Sequence, residues 1–99
     1  MHLAAVFSSN FTNLLYAVSE ELLLEHDIPF ELLKPLILQT SRNVIKGNLV
    51  QYQTGPAVRE DTKVLEKHRE MLSGHPDYLE IYNQMSKNII KQKKTHGKL

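Results

Sequence analysis

Residues 2–27 are the longest stretch of the chain without glycine or proline, and this stretch most constrains what the chain can fold into. Apolar residues recur there at three- and four-residue intervals: Leu3, Phe7, Phe11, Leu14, Leu15, Val18 and Leu22. That spacing predicts one unbroken amphipathic helix, roughly 37 Å long at about 1.5 Å per residue. On a uniform helical wheel one arc holds Leu3, Ala4, Val6, Phe7, Phe11, Leu14, Leu15, Ala17, Val18 and Leu22. The opposite arc holds His2, Ser8, Ser9, Thr12, Asn13, Tyr16, Ser19 and Glu20. Most of that second arc is small, neutral and hydrogen-bonding, where a plainly solvated face would carry Lys, Glu and Arg. Asn10 falls inside the apolar arc. There it is either a core amide bonded to a neighbouring backbone or a pocket residue.

Breaks after residue 27 divide the rest into helical segments. Pro29 suits a helix start, where its missing N–H is not needed. A second helix is predicted over 30–46, with Leu32, Leu33, Leu36, Ile37, Thr40 and Val44 on one face. Pro35 requires a kink or a separate first turn ending near Lys34. Gly47 is the natural stop. Residues 48–60 have no clean period and contain Gly55 and Pro56. So long a connection is either a structural crossover or a functional loop. Asp61 reads as the cap of a third helix, 62–73, with Gly74 after it. Its apolar stripe, Val64, Leu65, Met71 and Leu72, has His68 in its middle. Pro76 and Asp77 open a fourth helix faced by Tyr78, Leu79, Tyr82, Met85, Ile89 and Ile90. With no strand signal the fold class is all-α: a four-helix domain over 1–94 organised around the long first helix, followed by a flexible basic tail at 95–99.

Composition narrows the function. A chain of 99 residues with 41% hydrophobic and 23% charged content is one small globular domain. Lys91, Lys93, Lys94 and Lys98 are four of its twelve basic residues; without them eight remain against eleven acidic ones, which is no nucleic-acid footprint. No apolar run is long enough to span a membrane. There is no cysteine, hence no disulfide framework, and a cytoplasmic setting is expected. No His, Cys or carboxylate stands at metal-ligand spacing from His68, so no metal is expected. The first helix begins without a lead-in or cap, and the chain is expected to be a piece of a longer protein. A phosphate-binding glycine turn, a nucleophile elbow and an HExxH helix are all missing. What remains for chemistry is polar groups in apolar settings (His2, Ser9, Asn10, His68) and the loop residues Thr54, Arg59 and Asp61. Arg59 can clamp a carboxylate or phosphate through its planar fork, or pair with Glu60 or Asp61.

Four segments in one order, 2–13, 29–37, 54–61 and His68, resemble one known module. It is the helical C-terminal domain that follows a Rossmann-like domain in uncharacterised NAD(P)-dependent oxidoreductases, similar to 6-phosphogluconate dehydrogenase, pyrroline-5-carboxylate reductase and ketopantoate reductase. His2, Asn10, Thr54, Gly55, Pro56, Arg59, Asp61 and His68 match its pattern, whereas Glu60 stands where many members have Gly. The resemblance implies a helical domain that forms a homodimer and closes the substrate side of a nicotinamide cleft. NADP or NAD would be bound mainly by an N-terminal Rossmann domain absent from this chain. The alternatives are a free-standing helical dimerisation or ligand-binding module without catalysis, or a regulator holding a small acid through Arg59.

Hydride transfer needs hydrogen-bond donors or a proton relay at the substrate oxygen. Asn10, His2 and His68 are therefore the expected catalytic residues, and Ser9, Thr54, Arg59 and Asp61 the expected contacts to a small-molecule substrate. His2 is the first choice of proton carrier, since imidazole titrates near neutral pH. Ser9 and Asn10 are expected to meet the 54–61 loop.

Overall fold

A computed structural model describes residues 1–96. All regular structure among them is helical. The order is α1 (His2–Ala5), a π-helical segment (Val6–Phe11), α2 (Thr12–Leu24), a 3-10 turn (Phe30–Leu33), α3 (Lys34–Lys46), α4 (Thr62–Met71) and α5 (Pro76–His96). The first three run on without a break, so the chain has four helical bodies, as its sequence pattern predicts. Of the expected tail, residues 97–99 lie outside the described residues, while Thr95 and His96 end α5. Among the described residues no helix is long and apolar enough to cross a membrane.

The chain divides into two compact units, Met1–Arg42 and Asn43–Leu99. In the first unit the long helix ends at Leu24, three residues before the predicted stop. The reason is local: Asp27 takes a left-handed conformation, φ 55°. Its N–H donates to the Leu24 carbonyl at 3.1 Å, and the Ile28 N–H reaches back to Leu23 at 3.0 Å. These two bonds satisfy the last carbonyls of the helix in a Schellman closure, with Asp in the place that glycine usually takes. Pro29, extended at ψ 142°, then caps the 3-10 turn, which packs back against α2. Pro35 follows in the first turn of α3, so the separate-turn alternative is the one observed and no interior hydrogen bond is lost. A backbone hydrogen bond and the Lys34 ammonium at 3.3 Å hold the Glu31 carboxyl below its ordinary pKa.

No residue within the helical elements of this unit is buried. Leu15, Val18, Leu22, Leu23, Phe30, Leu33 and Ile37 are half-covered. Most of the remaining apolar arc lies open: Phe7 is 62% exposed and Leu14 51%, and Leu3 and Phe11 are exposed too, while Val6 is half-covered.

The second unit has a true core. Ala57, Leu65 and Leu72 are buried, and so is Ser86 on α5. Leu65 and His68 on α4 and Leu72, its C-cap, face inward, whereas Met71, predicted to join them, is exposed. Gly47 stops α3 at φ 79°, as expected. Residues 48–53 are a run of tight turns, with Gln51, Tyr52 and Gln53 N–H groups bonded to the carbonyls of Asn48, Leu49 and Val50. Residues 56–61 close like the end of a helix: the Asp61 N–H donates to Pro56 at 2.9 Å and the Glu60 N–H to Ala57 at 3.0 Å.

Candidate functional site

The residues singled out by sequence fall into two groups, one in each unit. His2, Ser9 and Asn10 belong to the first. His2 opens α1 and is exposed. Ser9 and Asn10 lie within the π-helical segment. A π turn closes on the fifth residue instead of the fourth, so it takes one extra residue and resets the phase of everything before it. The uniform wheel over 2–27 therefore does not hold across residues 6–11. Asn10 is exposed, together with its apolar neighbours Phe7 and Leu14, and so needs no buried partner within the chain. π turns inside α-helices concentrate at functional positions.

The polar arc of this helix sorts itself by partner. Ser8 Oγ donates to the Ala5 carbonyl and Thr12 Oγ1 to Phe7, both at 3.4 Å; Ser19 Oγ donates to Leu15 at 2.9 Å. Such bonds to the preceding turn account for these hydroxyls without any ligand. Ser9 and Asn10 make no side-chain hydrogen bond among the described residues. Local structure leaves both side chains unused.

In the second unit Thr54, Arg59 and Asp61 share the connection between α3 and α4, and His68 lies on α4. Ala57 anchors that connection in the core. Lys93 Nζ, reaching from α5, donates to the Val58 carbonyl at 2.7 Å, and Lys94 pairs with Glu60 at 3.8 Å. The loop is thus a pinned crossover. Asp61 is the cap of α4, since its Oδ1 accepts from the Val64 N–H at 3.3 Å. Arg59 is exposed. It forms no pair with Glu60 or Asp61 and has no other side-chain partner among the described residues. A free guanidinium on a rigid loop is the arrangement that binds a carboxylate or phosphate.

Glu60 has φ 50°, in the left-handed region. The position where the resembling module has Gly thus keeps the backbone that Gly would take, with a glutamate bearing the strain.

His68 is half-buried, and its Nδ1 lies 2.8 Å from Tyr82 Oη on α5, the rings edge to face with centroids 5.7 Å apart. One residue along both helices, Arg69 Nε donates to Asn83 Oδ1 at 2.9 Å while a terminal guanidinium nitrogen meets Glu66 at 2.7 Å. Burial raises the Tyr82 hydroxyl above its ordinary pKa, against a weaker lowering by Arg69. Sequence reasoning placed Tyr82 on an apolar face and missed its hydroxyl. The fourteen-residue offset that repeats in His68–Tyr82 and Arg69–Asn83 becomes visible only once α4 and α5 are known to pair. Also missed was an open groove of about 620 Å³ whose lining includes Asn48, Gln51, Gln53, Val58, Lys93 and His96. Among the described residues no group of three His, Cys, Asp or Glu could hold a metal ion.

Residues 1–89 match the model of a family described as a domain of unknown function, DUF2520. The chain belongs to that family. Its fold matches the crystal structure of a "putative NADP oxidoreductase" from Bacteroides fragilis with a TM-score of 0.88 and 42% sequence identity over 91% of this chain. The chain spans only 35% of the length of that protein. No curated protein matches. The resemblance to a helical oxidoreductase domain, read from the sequence, therefore holds over nearly the whole chain.

Proposed function

We propose that this chain is the C-terminal, dimerising and substrate-side domain of an NADP-dependent oxidoreductase acting on a small metabolite. The likeness to the Bacteroides protein carries the reading. The chain's own residues do not fit a dinucleotide: its glycines, at 47, 55, 74 and 97, are too widely spaced in sequence for a glycine-rich phosphate turn. The nucleotide would be held mainly by an N-terminal Rossmann domain outside this chain.

This chain's share of the chemistry is to hold the substrate and to stabilise charge on its oxygen. Arg59 would take an acidic group of the substrate. In the first unit, Asn10 and Ser9, unused by local structure, would donate or accept hydrogen bonds to the substrate, and His2 would serve as proton carrier. In the second unit, Thr54 and Asp61 would join Arg59 as substrate contacts, with His68 as a hydrogen-bond donor. The open apolar arc through Phe7, Phe11 and Leu14 supports a homodimer built on the first helix.

The test uses the protein that joins this chain to its nucleotide-binding domain. NADPH oxidation is followed against a panel of small 2-oxo acids, ketones and imines. Asn10→Ala should lower kcat/KM by roughly tenfold to a thousandfold, the loss of one donor to developing charge. Arg59→Ala should act mainly on KM and only for acidic substrates. Unchanged kinetics in both variants would remove these residues from the site.

A further inference from the structure

The bond between His68 and Tyr82 has a direction. An imidazole and a phenol can pair with either ring as donor. The imidazole nitrogen is much the better base and the phenol the better acid, so the stronger bond runs from Oη–H to Nδ1. A tyrosine hydroxyl is protonated at neutral pH even without burial, so Tyr82 has a proton to give. The 2.8 Å separation suits such a bond. Beside it, the Arg69–Asn83 bond at 2.9 Å fixes the register of α4 against α5 and holds the two rings opposite one another. When Nδ1 accepts, the single proton of the neutral ring must sit on Nε2.

We infer that Tyr82 is a positioning residue that holds His68 as the neutral Nε2–H tautomer, a hydrogen-bond donor to the carbonyl or hydroxyl oxygen of the substrate. The inference rests on the reading of His68 as a site residue. It alters the role expected from sequence. A ring held in one neutral tautomer polarises an oxygen by donation and does not have to gain or lose a proton in the step. Tyr82 itself touches no substrate in this account. It acts only by removing the second tautomer.

The experiment is nitrogen NMR on the chain labelled at histidine, at a pH where the imidazole is neutral. His68 should show an unprotonated Nδ1 and a protonated Nε2. Tyr82→Phe keeps the ring and its edge-to-face contact but removes the donor. Both His68 nitrogen shifts should then move toward the average of two tautomers, while the backbone amide spectrum stays in place. A protonated Nδ1 in the parent chain, or shifts unaltered by Tyr82→Phe, overturns the inference. The substrate role is tested separately with NADPH and the 2-oxo acid panel in the two-domain protein. There Tyr82→Phe should lower kcat/KM by about fivefold, mainly through kcat, as expected for one neutral hydrogen bond. If His68→Ala leaves turnover unchanged, His68 is no site residue and the substrate role falls, even where the NMR result stands.

Discussion

The two units of this chain solve the problem of burial in opposite ways. The second, Asn43–Leu99, covers its own apolar residues, Leu65 on α4, Leu72 at its C-cap and Ala57 in the crossover, and adds polar rungs between α4 and α5. The first, Met1–Arg42, has more apolar surface on its long helix but buries no helical residue. Exposed apolar faces of this kind mark surfaces that meet a protein partner, a membrane or a ligand. The contrast assigns different work to similar sequence. Leucines in the second unit hold a fold; those of the first unit's long helix would, in the function proposed above, hold a homodimer.

Paired substitutions can break that distinction, and they carry the largest expected effect. Leu65→Ala should destabilise the chain by about 2–5 kcal/mol, the range for deleting a buried leucine side chain. Measured where the chain is not self-associated, Leu14→Ala should move stability by only about 0.5 kcal/mol, as for other exposed positions. Leu14→Glu, in turn, should abolish self-association seen by light scattering at micromolar concentration while leaving helicity intact. Equal losses of stability from Leu65→Ala and Leu14→Ala would erase the difference between the units.

A smaller effect sharpens the account of the second unit. Asp61→Ala removes the side-chain acceptor for the Val64 N–H and should cost about 1 kcal/mol, read from the midpoint of urea unfolding. Asp61→Asn should recover most of it, because the amide oxygen caps as well as the carboxylate. If Asp61→Asn loses as much as Asp61→Ala, the charge of Asp61 matters and capping is not its main task.

How much of this was legible in the sequence depends on the range of the interaction involved. Stops set by single residues were readable: Gly47 ends α3, Asp61 caps α4 and Pro76 opens α5, because each acts on its own turn. Apolar periodicity gave the helices themselves. It failed at residues 6–11, where the π turn changes the period on which a wheel depends, and so misjudged the setting of Asn10. It failed again at Asp27, since only the backbone shows that an aspartate takes the left-handed place. The Tyr82 hydroxyl was invisible because its partner is on another helix, and periodicity sorts residues by face without saying what stands opposite. Of the candidate site, Arg59 was found by residue type alone. Only geometry showed that it has neither of the carboxylate partners that its neighbours offered.

The smallest expected effect compares the units at two equivalent positions. Each unit has a turn closed by a left-handed residue other than glycine: Asp27 at φ 55° in the first and Glu60 at φ 50° in the second. Both turns have the same pair of backward hydrogen bonds. A left-handed conformation costs an ordinary residue about 1–2 kcal/mol. Glycine relieves that cost but loses about 0.5–1 kcal/mol more conformational entropy on folding. Glu60→Gly also gives up the exposed Lys94 pair at 3.8 Å, which contributes little in water. The net should be a gain of a few tenths of a kcal/mol for Glu60→Gly. Asp27→Gly should gain less, because a short polar side chain that bonds locally visits this region more readily than glutamate does. Thermal unfolding of the two glycine variants beside Glu60→Ala tests the reasoning. Alanine removes the Lys94 pair without relieving the backbone, so Glu60→Gly must be the more stable of the two variants at position 60. If Glu60→Ala equals it, the glutamate carries no strain there, and the left-handed turn is held by its hydrogen bonds at no cost to the residue that makes it.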